Sequence, residues 1–394
     1  MSFKFRVRKF MKLFKSLLVA PAALGLLAPM SVTANELNIT DVSDYSSSEE
    51  VQNISEFYPK ELAVTNGRVD GLEARMNDFE AGSFSTTTTA SFGADFVIGA
   101  VDGAGAGEEA VTFNYQYGMN LSTSFTGEDS LDLTIETGNA GTTASATILD
   151  MNGMGDTMTL DGITYTFPLG DSTTIMVGDS TDVSALYSTA CTYSAFTDLL
   201  SNCGSGTAAG LGGGGTTAIS SATAAAAYDF GNGLTVAGGL SGSGGNDDGL
   251  FTKESLDVYG VQAAYNTDNY GVSLSYALTE TSETADTSFL GINAFYALDG
   301  GPSISVGYES EDPDASATEE GYFVGLTWDE FGPGSFSVGM STLENYTDAQ
   351  TELYQYEAAY SFAVNDGMTI TPGVFITEGT TDDTGVIVKT SFSF

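Results

Sequence analysis

Histidine is missing from all 394 residues, which excludes Ser-His-Asp and Cys-His hydrolysis and any zinc site built on imidazole. Positive charge is scarce as well: 11 Lys and Arg stand against 52 Asp and Glu. Six of the basic residues (Lys4, Arg6, Arg8, Lys9, Lys12, Lys15) fall in the first 34 positions, where there is no acid. Without that segment five basic residues face 52 acids, a net charge of −47. Such a chain repels nucleic acid and anionic lipid surfaces, so neither is an expected partner. Beyond the N-terminus no run of eighteen apolar residues occurs, so no membrane-spanning helix is expected. Cysteine is limited to Cys191 and Cys203. What the chain does have, 42% hydrophobic and 11% aromatic residues, argues against an acidic disordered protein.

The N-terminus reads as a secretory leader. A basic stretch precedes the apolar run Leu17 to Leu27 and the small-residue site Val32-Thr33-Ala34, with cleavage expected after Ala34. Met11 is an alternative start. Residues 35–59 are polar and acidic without periodicity, a linker. Residues 60–82 predict a short periplasmic helix, since Leu62, Val69, Leu72, Met76 and Phe79 recur at three- and four-residue spacings. That is a coiled-coil-like seam, although an ordinary amphipathic helix fits the spacing nearly as well.

From residue 83 to 394 the period becomes two, which predicts an all-β domain. At the C-terminus Val386, Val388, Thr390, Phe392 and Phe394 share one face, while Lys389, Ser391 and Ser393 share the other. Tyr354, Tyr356, Ala358, Tyr360 and Phe362 likewise oppose Gln355, Glu357, Ala359 and Ser361. Tight Gly/Asn/Asp/Pro turns at 228–233, 266–269, 299–302, 329–334 and 365–367 alternate with longer acidic loops at 241–255, 279–287, 309–320, 341–351 and 377–384. Aromatic residues gather near strand ends. Short turns on one side, long loops on the other and aromatic girdles between are the pattern of a transmembrane antiparallel β-barrel. Ten strands are marked between 221 and 394 and five or six before 190. Chain length and even parity favour about sixteen, enough for an aqueous channel.

The strand that ends in Phe394 resembles the closing strand of bacterial outer-membrane barrels, where it serves the barrel-assembly machinery. Three further stretches carry a resemblance to the cyanobacterial outer-membrane porins, akin to the carbohydrate-selective (OprB-like) porins. They are the leader from Met11 to Pro29, the junction Lys60-Glu-Leu-Ala-Val with Gly67 to Ala74 and Phe84-Ser-Thr-Thr-Thr, and the Cys191 to Cys203 loop. The surface-layer-homology domain usual in that family is absent between Asp44 and Tyr58, so wall anchoring is not carried over. The resemblance implies a homotrimeric channel in the cell outer membrane for passive diffusion of small hydrophilic solutes, sugars among them, without cofactor or metal.

Alternation places Asp95, Asp132, Glu136, Glu309 and Glu357 on the inner face, with Lys389 the rare cation. Carboxylates in a low-dielectric wall concentrate cations and repel anions, phosphate included. Most other acids are expected in solvated loops. Cys191 and Cys203 are expected to form a disulfide, closing a loop placed either inside the lumen or outside as a protease-resistant staple. Gly244 to Gly249 faintly resembles one calcium-binding repeat, though an exposed turn suits it better. A secreted acidic structural or adhesive β-protein is the competing reading. An enzymatic barrel is disfavoured, because no activated nucleophile stands out.

Overall fold

The computed structural model describes residues 87–394 except 104–109, 142, 154, 199, 201–202, 204–221, 243–248, 250–251, 253–255, 283–284, 315 and 344–345. The leader, the linker and the helix at 60–82 lie outside the described residues, as does nearly all of the Gly244 to Gly249 turn.

Among the described residues sixteen strands form one sheet. They are β1 (Thr88–Asp102), β2 (Thr112–Thr123), β3 (Ser130–Gly138), β4 (Thr159–Pro168), β5 (Thr173–Asp179), β6 (Ala222–Asp229), β7 (Leu234–Gly242), β8 (Asp257–Asn266), β9 (Tyr270–Ser282), β10 (Ala285–Ala297), β11 (Ser303–Pro313), β12 (Glu319–Phe331), β13 (Gly334–Thr342), β14 (Tyr354–Asn365), β15 (Met368–Thr377) and β16 (Asp383–Ser393). Each pairs antiparallel with its sequence neighbours, and β16 pairs with β1, so the sheet closes on itself. Five strands precede residue 190 and eleven follow 221, one more than the turn signals mark there.

Alternation dictates the two faces. On β9 Tyr270, Val272, Leu274 and Tyr276 are exposed on the outer face, while Gly271, Ser273, Ser275 and Ala277 point inward and are buried. The same pattern leaves Val236, Val261, Ile292, Val306, Val324 and Ile376 exposed outside. A wall that is apolar outside and rich in Ser, Thr and Gly inside reverses the solubility logic of a water-borne sheet.

Connections alternate in length between the two rims. One rim carries tight turns, such as that at Gly332, whose positive φ of 68° suits glycine. The other carries the longer loops. Two of these are shorter than the acidic composition suggests. β9 and β10 remain paired from Glu280–Asp286 to Ser282–Ala285, and β11 and β12 run to Pro313 and from Glu319. Acidic residues can extend a paired hairpin into water as readily as form a loop, because the ladder bonds are backbone only. Ring pairs stud the short-turn rim, Trp328–Phe336 at 5.7 Å and Tyr265–Tyr270 at 6.1 Å between centroids. At the long-loop rim Tyr308 and Tyr322 pair at 5.7 Å.

Because the strand number is even, the first and last strands meet with their outer ends at the same rim. Phe92 N–H donates to the Phe394 carbonyl at 2.8 Å and Phe394 N–H to the Phe92 carbonyl at 3.1 Å. Their rings stack at 5.5 Å, and Phe392 meets Phe96 edge-on at 5.9 Å. Val386, Val388, Phe392 and Phe394 all lie on the outer face of β16, with Phe394 73% exposed.

Candidate functional site

The connection between β5 and β6 folds into the barrel. Of the two placements left open by the sequence, the described part of this loop, 180–198 with 200 and 203, lies against the inner wall. Its backbone N–H groups donate to inward side chains of four strands: Ser188 to Gln262 Oε1 (2.7 Å), Thr192 to Ser305 Oγ (3.1 Å), Ser194 to Thr327 Oγ1 (3.1 Å), and both Phe196 and Thr197 to Glu357 (2.8 Å each). Cys191 and Cys203 are joined by a disulfide, their Cα atoms 6.1 Å apart. Five backbone N–H groups of the loop are thus satisfied by the wall, as those of a buried irregular segment need to be.

Glu357 on β14 is the hub of this docking. One carboxylate oxygen accepts from Tyr193 Oη (2.8 Å) and Phe196 N–H; the other accepts from Thr197 N–H and Thr197 Oγ1 (2.5 Å). Gln355 Nε2 adds a bond to Thr197 Oγ1 at 2.7 Å. Only 3% of Glu357 is exposed, and its four donors replace the water that a buried carboxylate would otherwise lose. Burial, and then the Glu357 charge, hold the Tyr193 phenol well above the usual tyrosine range. The phenol therefore stays a donor.

Glycine makes room for the loop. A Cβ at Gly339 would come within 2.5 Å of Tyr193 Oη, and one at Gly373 would enter the Phe196 ring. Tyr193 also meets Phe323 edge-on at 5.1 Å, beside the buried Leu200 and Cys203. Fully burying one such aromatic contributes about 1.5–3 kcal/mol.

A second loop, 139–158, enters from the β3–β4 side. It holds one short helix, α1 (Ala144–Thr147), packed on β1. Ala146 and Met151 join Val97, Val101, Ile387, Phe375 and Phe196 in a buried apolar cluster between wall and loops. The two loops meet where Asp198 N–H donates to the Ile148 carbonyl at 3.0 Å. Ile387 thus sits on the face that otherwise carries Lys389 and Ser391, which binary patterning alone would have made uniformly polar.

The inward acids divide into two groups. Glu357 and Glu309 are buried on the side where the loop 180–203 docks; Gly307, next along that face of β11, abuts the Cys203 carbonyl. Asp95, Asp132 and Glu136 are half-buried on β1 and β3. Asp95 accepts from Gln116 Nε2 (2.8 Å), Gln116 Oε1 accepts from Asn152 N–H (3.2 Å), and Asn152 Nδ2 donates to Glu136 (2.5 Å), so the second loop brings Asp95 and Glu136 into one network. Asp132 accepts from Ser130 Oγ at 2.7 Å. Lys389 lies between Val97 of β1 and Thr371 of β15. From residue 87 onward the sequence has one other basic residue, Lys253, which is outside the described set. Gln116, Asn152, Tyr193, Phe196 and Thr197 carry the docking and have no motif. The readable signal was the run of inward glycines, which marks close backbone approach.

No protein-family model matches the chain. A stretch of 110 residues, 27% of the chain, is 38% identical to uncharacterized protein alr4550 of Nostoc sp., but it covers 19% of that relative's length. Among solved structures, the OprB of Pseudomonas putida superposes with a TM-score of 0.59 over 82% of this chain and 97% of its own, at 13% identity. A mutant of the Rhodopseudomonas blastica porin superposes with a TM-score of 0.54 over 78% and 100%, also at 13%. At that identity the likeness is one of fold, and the fold is the sixteen-stranded barrel of these porins.

Proposed function

We propose that the chain is an outer-membrane porin that passes small hydrophilic solutes by diffusion and performs no catalysis. The carrying observation is a closed barrel with an apolar exterior and a hydroxyl-rich interior narrowed by a docked loop. In water the exposed belt of Tyr, Val, Leu and Ile would aggregate, which speaks against the secreted structural reading. The leader, export and recognition of the Phe394 strand by barrel-assembly machinery belong to this proposal. So does a cyanobacterial origin, which the Nostoc match supports.

A homotrimer is part of the same reading. β5 and β6 have seven and eight residues, fewer than the 9–11 or so that a tilted strand needs to cross a bilayer. β9, β10 and β12 have thirteen each. The short flank exposes Ala226 and is better covered by another copy than by lipid.

Asp95, Asp132 and Glu136 would favour cations, whereas Glu357 and Glu309 act mainly beneath the loop. The test is a planar bilayer under a salt gradient. Discrete conductance steps with a cation-directed reversal potential, moved toward zero by Asp95→Asn with Glu136→Gln, are expected. A heat-modifiable barrel without conductance would overturn the reading.

A further inference from the structure

Below the docked loop, on its short-turn side, lies a recess of about 300 Å³ between Phe196 and the inner wall of β13–β16. Register places Ser335 opposite Ser361 and Thr371 opposite Lys389, and Thr371 Oγ1 bonds Ser361 Oγ at 3.0 Å. Hydroxyls of Ser335, Ser361, Thr371 and Ser391 thus surround the ammonium-bearing Lys389, the sole basic side chain among the described residues. Two carboxylates border this tier. Asp95, opposite Ser391, accepts from Gln116 Nε2, and Glu357, one step along the inner face of β14 from the lining residue Ala359, is taken up by its four donors from the loop.

We propose that this recess is a subsite for a small oxyanion, bound by Lys389 and the serine and threonine hydroxyls around it. In a chain this acidic, a cation placed on the inner wall has no general solubility role to play. Hydroxyls can rotate to donate to an anion and require no fixed geometry. Lysine acts as a point charge with three donors, so it accepts phosphate and carboxylate groups alike without demanding a planar, bidentate partner. The roof is the loop that narrows the channel, so a bound oxyanion would lie beside the permeation path. Acidic walls then disfavour free anion flow, while the recess admits anions one at a time. This role in permeation rests on the porin reading; the binding does not.

Two measurements separate them. In detergent, 31P line broadening of inorganic phosphate is expected with the wild-type protein and with Lys389→Arg, and about tenfold weaker binding with Lys389→Gln. In a bilayer, phosphate or acetate should interrupt single-channel current in the wild type, with glucose at the same concentration having no effect. The acetate and phosphate arms tell planar from tetrahedral preference. Equal binding by Lys389→Gln, no broadening at all, or equal interruption by glucose would overturn the subsite. A conducting channel without phosphate block and without broadening sinks the subsite and keeps the porin. Lys389-dependent broadening without conductance does the reverse.

Discussion

Two loops enter the lumen and share one apolar cluster, but the wall holds them with different shares of apolar and polar contact. The loop at 139–158 brings its own apolar residues, Ala146 and Met151, to a patch of Val97, Val101 and Ile387, and adds amide bonds from Asn152. The loop at 180–203 hangs on polar side chains of four strands, Gln262, Ser305, Thr327 and above all Glu357, and is stapled by one disulfide and let in by glycines. Apolar packing is spread over many contacts and degrades gradually. A single buried acceptor for four donors is concentrated and fails at one point. A polar lumen can thus hold an irregular loop when its wall supplies acceptors for the loop's buried donors.

Breaking the concentrated anchor has the largest expected effect. Glu357→Ala leaves four donors unmet and should cost loop docking at least about 3 kcal/mol, since hydrogen bonds to a charge each contribute about 1.5–3 kcal/mol. Single-channel conductance should rise and become noisy, and chymotrypsin should cut at Tyr193 or Phe196; unchanged values would show that the loop is held elsewhere. Removing the staple with Cys191→Ser and Cys203→Ser should cost up to about 3 kcal/mol by ring-closure entropy, read as faster loop proteolysis with near-normal conductance. A wild-type cleavage rate would sink it. Gly373→Val should push Phe196 off the wall at about 1–3 kcal/mol of overpacking, visible as altered conductance in an otherwise heat-modifiable barrel. The distributed loop should be more forgiving. Asn152→Ala should cost about 1.5–3 kcal/mol for the bond to Glu136 at most, leaving the 139–158 loop in place by hydrogen exchange. A collapse of protection there would invert the comparison.

The smallest effect is the absence of one. A phenol whose pKa is raised on folding donates fully below the ordinary tyrosine range, and the bond is lost only as pH rises through the raised value. Tyr193 should therefore keep the latch closed above the ordinary tyrosine range, so conductance should hold steady across pH 10–11. A step in conductance there would place Tyr193 outside the latch.

Most of the barrel was legible because period two is written in each strand independently. The strand-by-strand opposition of Tyr276 and Ser275, or of Tyr356 and Glu357, needs no knowledge of the neighbour. What was illegible depends on partners far away in the chain. Glu357 reads as one more inward acid until Tyr193 and Thr197, some 160 residues earlier, arrive as donors. Ile387 looks misplaced among Lys389 and Ser391 until Phe196 and Met151 cover it. The inward face also read as mostly small, and the loop explains why glycine rather than serine stands at Gly325, Gly339 and Gly373.

The mutual backbone bonds of Phe92 and Phe394 set an order on folding. Every other pairing in the barrel joins strands adjacent in the sequence, and can zip as a hairpin. The seam alone joins segments about 300 residues apart, at an entropic cost on the order of 5 kcal/mol for so long a loop. Until it forms, β1 and β16 each present an unpaired edge that invites pairing with another chain. Joining the seam is therefore the pairing with the largest loop-closure cost, and the open edges of β1 and β16 are what that cost leaves exposed until it is met.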